Sequence, residues 1–246
     1  MDLGEKHVMR GIAEPASEIE NTNGQPASEL AYQLIRRDVI LGKLPPGAQV
    51  TNPEVAKRYG VGPVAVRSAL SRLVNERLVQ VTPRQGYTIA PLTLKSMHDI
   101  FNTRLLLEPT AAGLAAQNVT ARQLERLAQL SQAQSTPGDS QSVERYLAAT
   151  TEFHGLIAEA SGNECLADLI KSLFDRVERL LYLGHMLRDE GSLTTSEHHA
   201  LVEILKAGDA DEAERLMADH IEGARRFVIN ALMTSATLQS VNLVVL

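Results

Sequence analysis

At 246 residues the chain has room for one or two domains with cores of their own. Aromatic residues make up 4% and tryptophan is absent while aliphatic residues abound, a composition that suits helix packing better than a β-sandwich. The formal charge of −6 excludes a molecule coated all over by nucleic acid, and no apolar run approaches the ~20 residues of a membrane helix.

The opening MDLGEKHVMR lacks the apolar core of a secretory signal, so a cytoplasmic protein with no membrane partner is expected. The single cysteine, Cys165, excludes an internal disulfide, and its neighbours Leu166 and Leu169 predict a buried thiol.

Residues 1–27 mix charges with Gly, Pro, Asn, Thr and Ser without a period and read as a flexible arm. Ser28 is expected to cap a helix on Leu30, Leu34, Ile35, Val39 and Ile40 that ends at Gly42. Asn52, Pro53 and Glu54 predict the next helix start, with Asn52 as cap, and Gly60 its stop. After a short turn, Gly62 and Pro63 open a third helix. Its inner stripe is Val66, Ala69, Leu70 and Leu73, and Arg67, Ser68, Ser71 and Arg72 lie outside.

The period then falls to two: Val79, Val81, Tyr87 and Ile89 sit in two β-like runs joined by Pro83, Arg84, Gln85 and Gly86. A helix-turn-helix followed by a hairpin is a winged helix, here spanning 28–91. This segment holds nine Lys/Arg against four Asp/Glu, a local +5 that leaves −11 for the rest. Duplex DNA is the expected partner, with the third helix in the major groove and Arg84 on the wing at an adjacent phosphate or the minor groove.

From residue 92 to 246 the pattern is helical throughout. Thr93 starts a helix carrying Met97, Ile100, Phe101 and Leu105, with a kink expected near Pro109. Thr120 and Gln123 form a capping box for Ala121–Ser135. Further helices are expected over Gln141–Ser161, Asn163–Leu187 and Thr195–Lys206, and Asp209 with Glu212 caps a last one that continues past Phe227. The expected fold is mainly α: a winged helix-turn-helix followed by an antiparallel all-helical bundle of about six helices.

Three histidines fall on inward faces. His154 shares a stripe with Val143, Leu147, Thr150 and Ile157; His198 with Leu201, Val202 and Leu205; His220 with Leu216, Met217, Ala224 and Phe227. His199 lines up with Glu203 and Lys206 and faces water. Three imidazoles from three helices are a natural ligand set for a zinc- or nickel-like divalent ion, with open positions for an anion. The plainer alternative is three core histidines satisfied by hydrogen bonds, and no HExxH or CxxC pattern decides between the two.

The runs LGKLPPGAQV, VAKRYGV with VRSALSRLVNERLV, and PRQGYTIAPLT, followed by RLLLEPTAAGLAA, EFHGLIAEASGN, EHHALVEILKAGD and AERLMADHIEGA, together resemble the GntR superfamily of bacterial transcription regulators, in its FadR-like branch with a C-terminal FCD ligand-binding domain. The resemblance covers roughly residues 28–235. It implies a homodimeric repressor or activator whose bundle binds a small organic acid, often beside a metal, and so changes DNA affinity. The family's metal histidines fall on His154, His198 and His220. Arg104 matches an arginine that meets a ligand carboxylate, and Asn163 lies in the stretch near the pocket. Without the resemblance, Arg104 reads as a helix-surface ion pair with Glu108 at i+4.

Two departures stand out. The family commonly has an aspartate one turn before the first histidine, where this chain has Thr150, a neutral and weak or water-mediated ligand; Glu152 is on the wrong face to replace it. At the tip of the third helix, Gly62, Pro63, Val64 and Ala65 stand where relatives carry polar and basic residues, and Pro53 also replaces a position that is often basic. Arg67, Arg72 and Arg84, with Ser68, are then left to hold the backbone, Arg67 to reach a guanine edge, and Val64 and Ala65 to touch a thymine methyl. The favoured expectation is a ligand-responsive DNA-binding regulator. The alternatives are an effector-binding sensor with weakly specific DNA binding and, more distantly, a three-histidine metalloenzyme for which no general base is evident.

Overall fold

The computed structural model describes residues 25–187 and 191–234, so most of the expected arm, residues 1–24, lies outside it. Among the described residues the order is α1 (Ala27–Ile40), β1 (Gln49–Val50), α2 (Asn52–Tyr59), α3 (Pro63–Asn75), β2 (Val79–Thr82), β3 (Gly86–Ile89) and then six helices. These are α4 (Leu94–Asn118), α5 (Ala121–Leu130), α6 (Ser140–Ala160), α7 (Glu164–Leu187), α8 (Gly191–Ala207) and α9 (Ala210–Thr234).

Local chemistry moves several helix starts by one residue or more. α1 begins at Ala27, with Pro26 at the capping position and no side-chain cap; Ser28 is already inside the helix, and the Pro26 carbonyl accepts from the amides of Glu29 and Leu30. For α2 the cap is Thr51 and not Asn52. The Glu54 carboxylate accepts from the Thr51 amide at 2.9 Å while Thr51 Oγ1 accepts from the Glu54 amide, a reciprocal box that satisfies two otherwise orphaned donors. Gly60 closes α2 at φ +64°, a conformation that costs glycine little. α8 starts at Gly191, before the expected Thr195, and α5 ends at Leu130, because the Ser131 hydroxyl turns back onto the Ala128 carbonyl.

The α3 stripe of Val66, Ala69, Leu70 and Leu73 packs against Ala31, Ile35 and Val39 of α1 in one apolar cluster. The wing gains a third strand, since β1 pairs antiparallel with β3 (Gln49 opposite Thr88) and β2 pairs on the other side (Val79 opposite Ile89), for the order β1-β3-β2. Gly86 allows that closure: its φ is +92°, and a Cβ there would stand 2.8 Å from the Val50 carbonyl oxygen.

α4 runs unbroken through Pro109, where a kink was expected. The missing amide costs ~3 kcal/mol, but Arg104 and Glu108 before it and Ala111, Ala112 and Ala115 after it are all buried, so packing holds both halves in line. Cys165 is exposed, contrary to the expected buried thiol. The buried stripe of α7 is Leu166, Ala167, Ile170, Phe174 and Val177, which turns Cys165 and Leu169, one helical turn apart, to the other side.

The winged helix has one core cluster and the bundle a large and a small one, yet Ile40 from the end of α1 and Leu92 belong to the large bundle cluster. Polar contacts add to that join. Arg36 donates to Glu178 at 2.6 Å, Arg37 to Glu144 at 2.9 Å, and the buried Arg179 donates Nη1–H to the Ala90 carbonyl at 2.7 Å. Among the described residues no helix is long and apolar enough to cross a membrane.

Candidate functional site

Two surfaces concern function, the outer side of α3 with the wing and a cavity inside the bundle. On α3, Val64 is 82% exposed at the first turn, and Arg67 and Ser68 are exposed beside it. Arg67 has no ion-pair partner among the described residues. Ala65 is 8% exposed and packs inward, so it leaves the set of base-contacting candidates; its position falls on the buried side with Val66 and Ala69.

Arg72 has intramolecular partners. Its guanidinium lies 3.5 Å from the centre of the Tyr32 ring and pairs with Glu29 at 3.0 Å and Glu76 at 3.2 Å. Two carboxylates already compensate its charge, which removes most of its attraction for phosphate. Arg84 sits at the wing tip, exposed, in the left-handed region at φ +64°.

In the bundle, α6, α8 and α9 bring His154, His198 and His220 together with one ligand nitrogen of each within 4.8 Å of the others. All three rings are buried. His154 donates Nδ1–H to Glu108 Oε2 at 2.7 Å, and His220 donates Nδ1–H to Glu197 Oε2 at 2.7 Å. A carboxylate accepts and does not donate, so each pairing puts a ring proton on Nδ1, and in the neutral ring Nε2 then carries a lone pair. The two Nε2 atoms face one another at 3.3 Å. His198 stacks on Phe153 with ring centres 4.2 Å apart, and its Nε2 is buried without a partner.

The electrostatics keep His154 and His198 neutral. Burial pushes the His154 imidazole down, and the Glu108 carboxylate only partly offsets it, leaving it at about 4. Burial, then the neighbouring His220 and His154, push His198 well below the ordinary histidine value. For Glu108 burial acts to raise the pKa, but the Arg104 guanidinium and then His154 outweigh it and hold the carboxyl at about 2. An ionised Glu108 between two donors, with neutral imidazoles beyond, is the protonation state in which nitrogen lone pairs can meet a cation.

Beside the cluster lies a cavity of about 210 Å³ lined by Arg104, Tyr146, Thr150, His154, His185, Glu197 and His220, with the exposed Arg226 and Asn230 at its rim. The ion pair of Arg104 with Glu108 exists but is not on the surface, since Arg104 is 1% exposed. Arg104 gives Nε and Nη2 to Glu108, while Nη1 is buried without a partner. Thr150 Oγ1 is also buried with no hydrogen-bond partner within 3.5 Å, although it stands close enough to Tyr146 to bear on that hydroxyl. Asn163 is elsewhere: it is exposed and caps α7, its Oδ1 accepting from the Leu166 amide at 3.1 Å, so it belongs to a helix start and not to the cavity. Glu152 pairs with Arg126 on the exterior at 2.7 Å.

Sequence reading passed over Glu108 and Glu197 as histidine partners and His185 as a cavity residue. Glu108 is 46 positions from His154, and no spacing rule reaches that far. His185 carried a usable signal, lying four residues after the buried Leu181 on the same face of α7.

Comparison with known proteins follows the same division. Residues 27–89 match the family model described as bacterial regulatory proteins, gntR family, and residues 99–223 match the FCD domain. The HTH-type transcriptional repressor RspR of Escherichia coli K12 is 24% identical over 198 residues, 80% of this chain and 87% of that protein. The repressor GlaR of the same organism is 26% identical over 202 residues, 77% of this chain and 90% of its own length. Among solved structures, that of E. coli McbR/YncC superposes with a TM-score of 0.69 at 22% identity, covering 84% of this chain and 98% of the other, a likeness of fold.

Proposed function

We propose that this chain, which belongs to the gntR family of bacterial regulatory proteins and carries an FCD domain, is a transcription regulator whose DNA binding responds to a small organic acid held beside a zinc- or nickel-like ion in the bundle, most naturally as a homodimer on paired half-sites. Its relatives are transcription regulators, which sets aside the metalloenzyme reading. One observation carries the ligand part: three buried imidazoles bring a ring nitrogen each within 4.8 Å of the others, one of them, His198 Nε2, without a partner, next to a cavity into which a buried guanidinium presents an unpartnered Nη1. A histidine core built only for packing would also pair His198 Nε2.

The chemistry fits the residues. His154, His198 and His220 would hold the ion, Glu108 and Glu197 fix the two rings that need orientation, and a bound divalent ion supplies open positions for a carboxylate oxygen. Arg104 meets the acid from the side.

Coupling to DNA runs through the helices that line the cavity. α6 contributes Tyr146, Thr150 and His154 to it and Glu144 to the ion pair with Arg37 of α1; α7 contributes Leu181 and His185 to it and, less than one turn earlier, Glu178 to Arg36 and Arg179 to the Ala90 carbonyl. A shift of either helix on ligand binding therefore moves contacts that hold the winged helix. The coupling expected of such a device is ~1 to 3 kcal/mol.

A second reading keeps the effector site and leaves DNA recognition weakly specific. It draws on the α3 tip, where Ala65 is buried and the Gly62–Ala65 segment offers only the apolar side chains of Pro63 and Val64. Selection from random duplexes, with and without zinc and a panel of short carboxylates, decides between them. An enriched pseudo-palindrome whose recovery depends on the additions supports regulation by a ligand; enrichment of no sequence supports the second reading.

A further inference from the structure

We infer that the metal and the acid occupy this site as obligate co-ligands, with Thr150 leaving the ion no anionic donor from the protein, and that the acid is a short 2-hydroxycarboxylate. The inference rests on the metal-and-acid reading above and concerns how the two depend on each other.

Among the described residues no aspartate or glutamate oxygen joins the nitrogen cluster; its members are His154, His198 and His220 alone. The two nearest carboxylates are committed elsewhere. Glu108 accepts from His154 Nδ1 and from Arg104, and Glu197 accepts from His220 Nδ1, so neither can turn to an ion without releasing a ring that the ion needs. On α6 the position one turn before His154 faces the same cavity, and the residue there is Thr150, a neutral hydroxyl.

Charge decides what this arrangement tolerates. The imidazoles are neutral donors, and Arg104 cancels Glu108. Glu197 offsets half of a dication, so the occupied core is left at about +1. An uncompensated charge among groups this buried is costly. An incoming carboxylate removes that cost, and the ion in turn gives the carboxylate a partner that Arg104 cannot supply alone. Each ligand therefore raises the affinity of the other, and reciprocity makes the two factors equal.

The unpartnered atoms select the kind of acid. Arg104 Nη1 is a donor for a carboxylate oxygen, and Thr150 Oγ1, beside the Tyr146 hydroxyl, is a hydroxyl with acceptor capacity left over. A carboxylate with a hydroxyl on the adjacent carbon answers both and presents two oxygens to a metal at once. A cavity of about 210 Å³ limits the acid to a short chain.

The test is zinc uptake by the full chain in equilibrium dialysis, free zinc being held equal in every arm by a chelator buffer, with glycolate, acetate or no acid present. Glycolate is expected to tighten zinc binding by about tenfold or more, and acetate by distinctly less. Thr150→Asp supplies the missing charge, so this variant is expected to bind zinc without acid and to respond to glycolate by less than about threefold. Thr150→Val is expected to lose the advantage of glycolate over acetate. Zinc bound by the wild type equally well without acid overturns the inference and leaves the metal site standing. Zinc bound in no arm and by no variant overturns the inference and the metal reading together.

Discussion

The winged helix and the bundle differ in where the polar groups of their candidate sites lie. In the winged helix Arg67 on the outer side of α3 and Arg84 at the wing tip are exposed, whereas Arg72 is compensated within the domain by Glu29 and Glu76. Around the histidine cluster and cavity of the bundle the unpaired atoms are buried: Arg104 Nη1, Thr150 Oγ1 and His198 Nε2. Unpaired groups on a surface cost little and await a large partner such as a duplex, while unpaired groups in a core are costly and mark the place of a small one.

The largest test of that contrast is Glu108→Ala. It strands the buried Arg104 and frees His154, and is expected to cost ~3 to 5 kcal/mol of stability, the scale for breaking a buried pair from one side; loss below ~1 kcal/mol in denaturant titration would mean the pair is not buried as described. Acid comes next. In metal-free protein His154 titrates at about 4 and His198 well below 6.5, so between about pH 6.5 and 4 the unfolded chain binds more protons and stability falls with falling pH. Glu108, held at about 2, continues the same trend below about 4.5. Chemical denaturation midpoints in a chelator should therefore drop steadily over this range, and a flat profile contradicts buried neutral rings.

On the DNA side the effects are smaller. Arg67→Ala should weaken duplex binding by ~1 to 3 kcal/mol if it meets a base edge, or lower the salt slope by about one if it meets phosphate. Arg72→Ala should do neither and cost at most ~1 kcal/mol of stability, because its partners are Glu29, Glu76 and the Tyr32 ring. Equal losses of DNA affinity in both variants would erase the distinction between them.

Sequence periodicity suffices for what local rules govern. The α3 stripe, the hairpin and the inward turn of the three histidines all follow from spacings of two or of three to four residues. What escapes it depends on neighbours distant in the chain. Arg104 with Glu108 has the spacing of a surface pair, and only the packing of α4 within the bundle turns that pair into a buried link to His154. Cys165 beside Leu166 reads as buried until the α7 stripe is seen to face the other way. Asn163 shows the converse error, since its place as a helix cap is a local feature overridden in the reading by resemblance.

The most direct test of the central claim is duplex affinity measured for the wild type and for the double variant His154→Ala, His220→Ala, each with and without zinc and glycolate. The account predicts a change of about 5- to 150-fold in the wild type and none in the double variant, with basal DNA binding retained by both. An equal response in the two proteins, or none in the wild type to zinc with any short carboxylate tested, would contradict it.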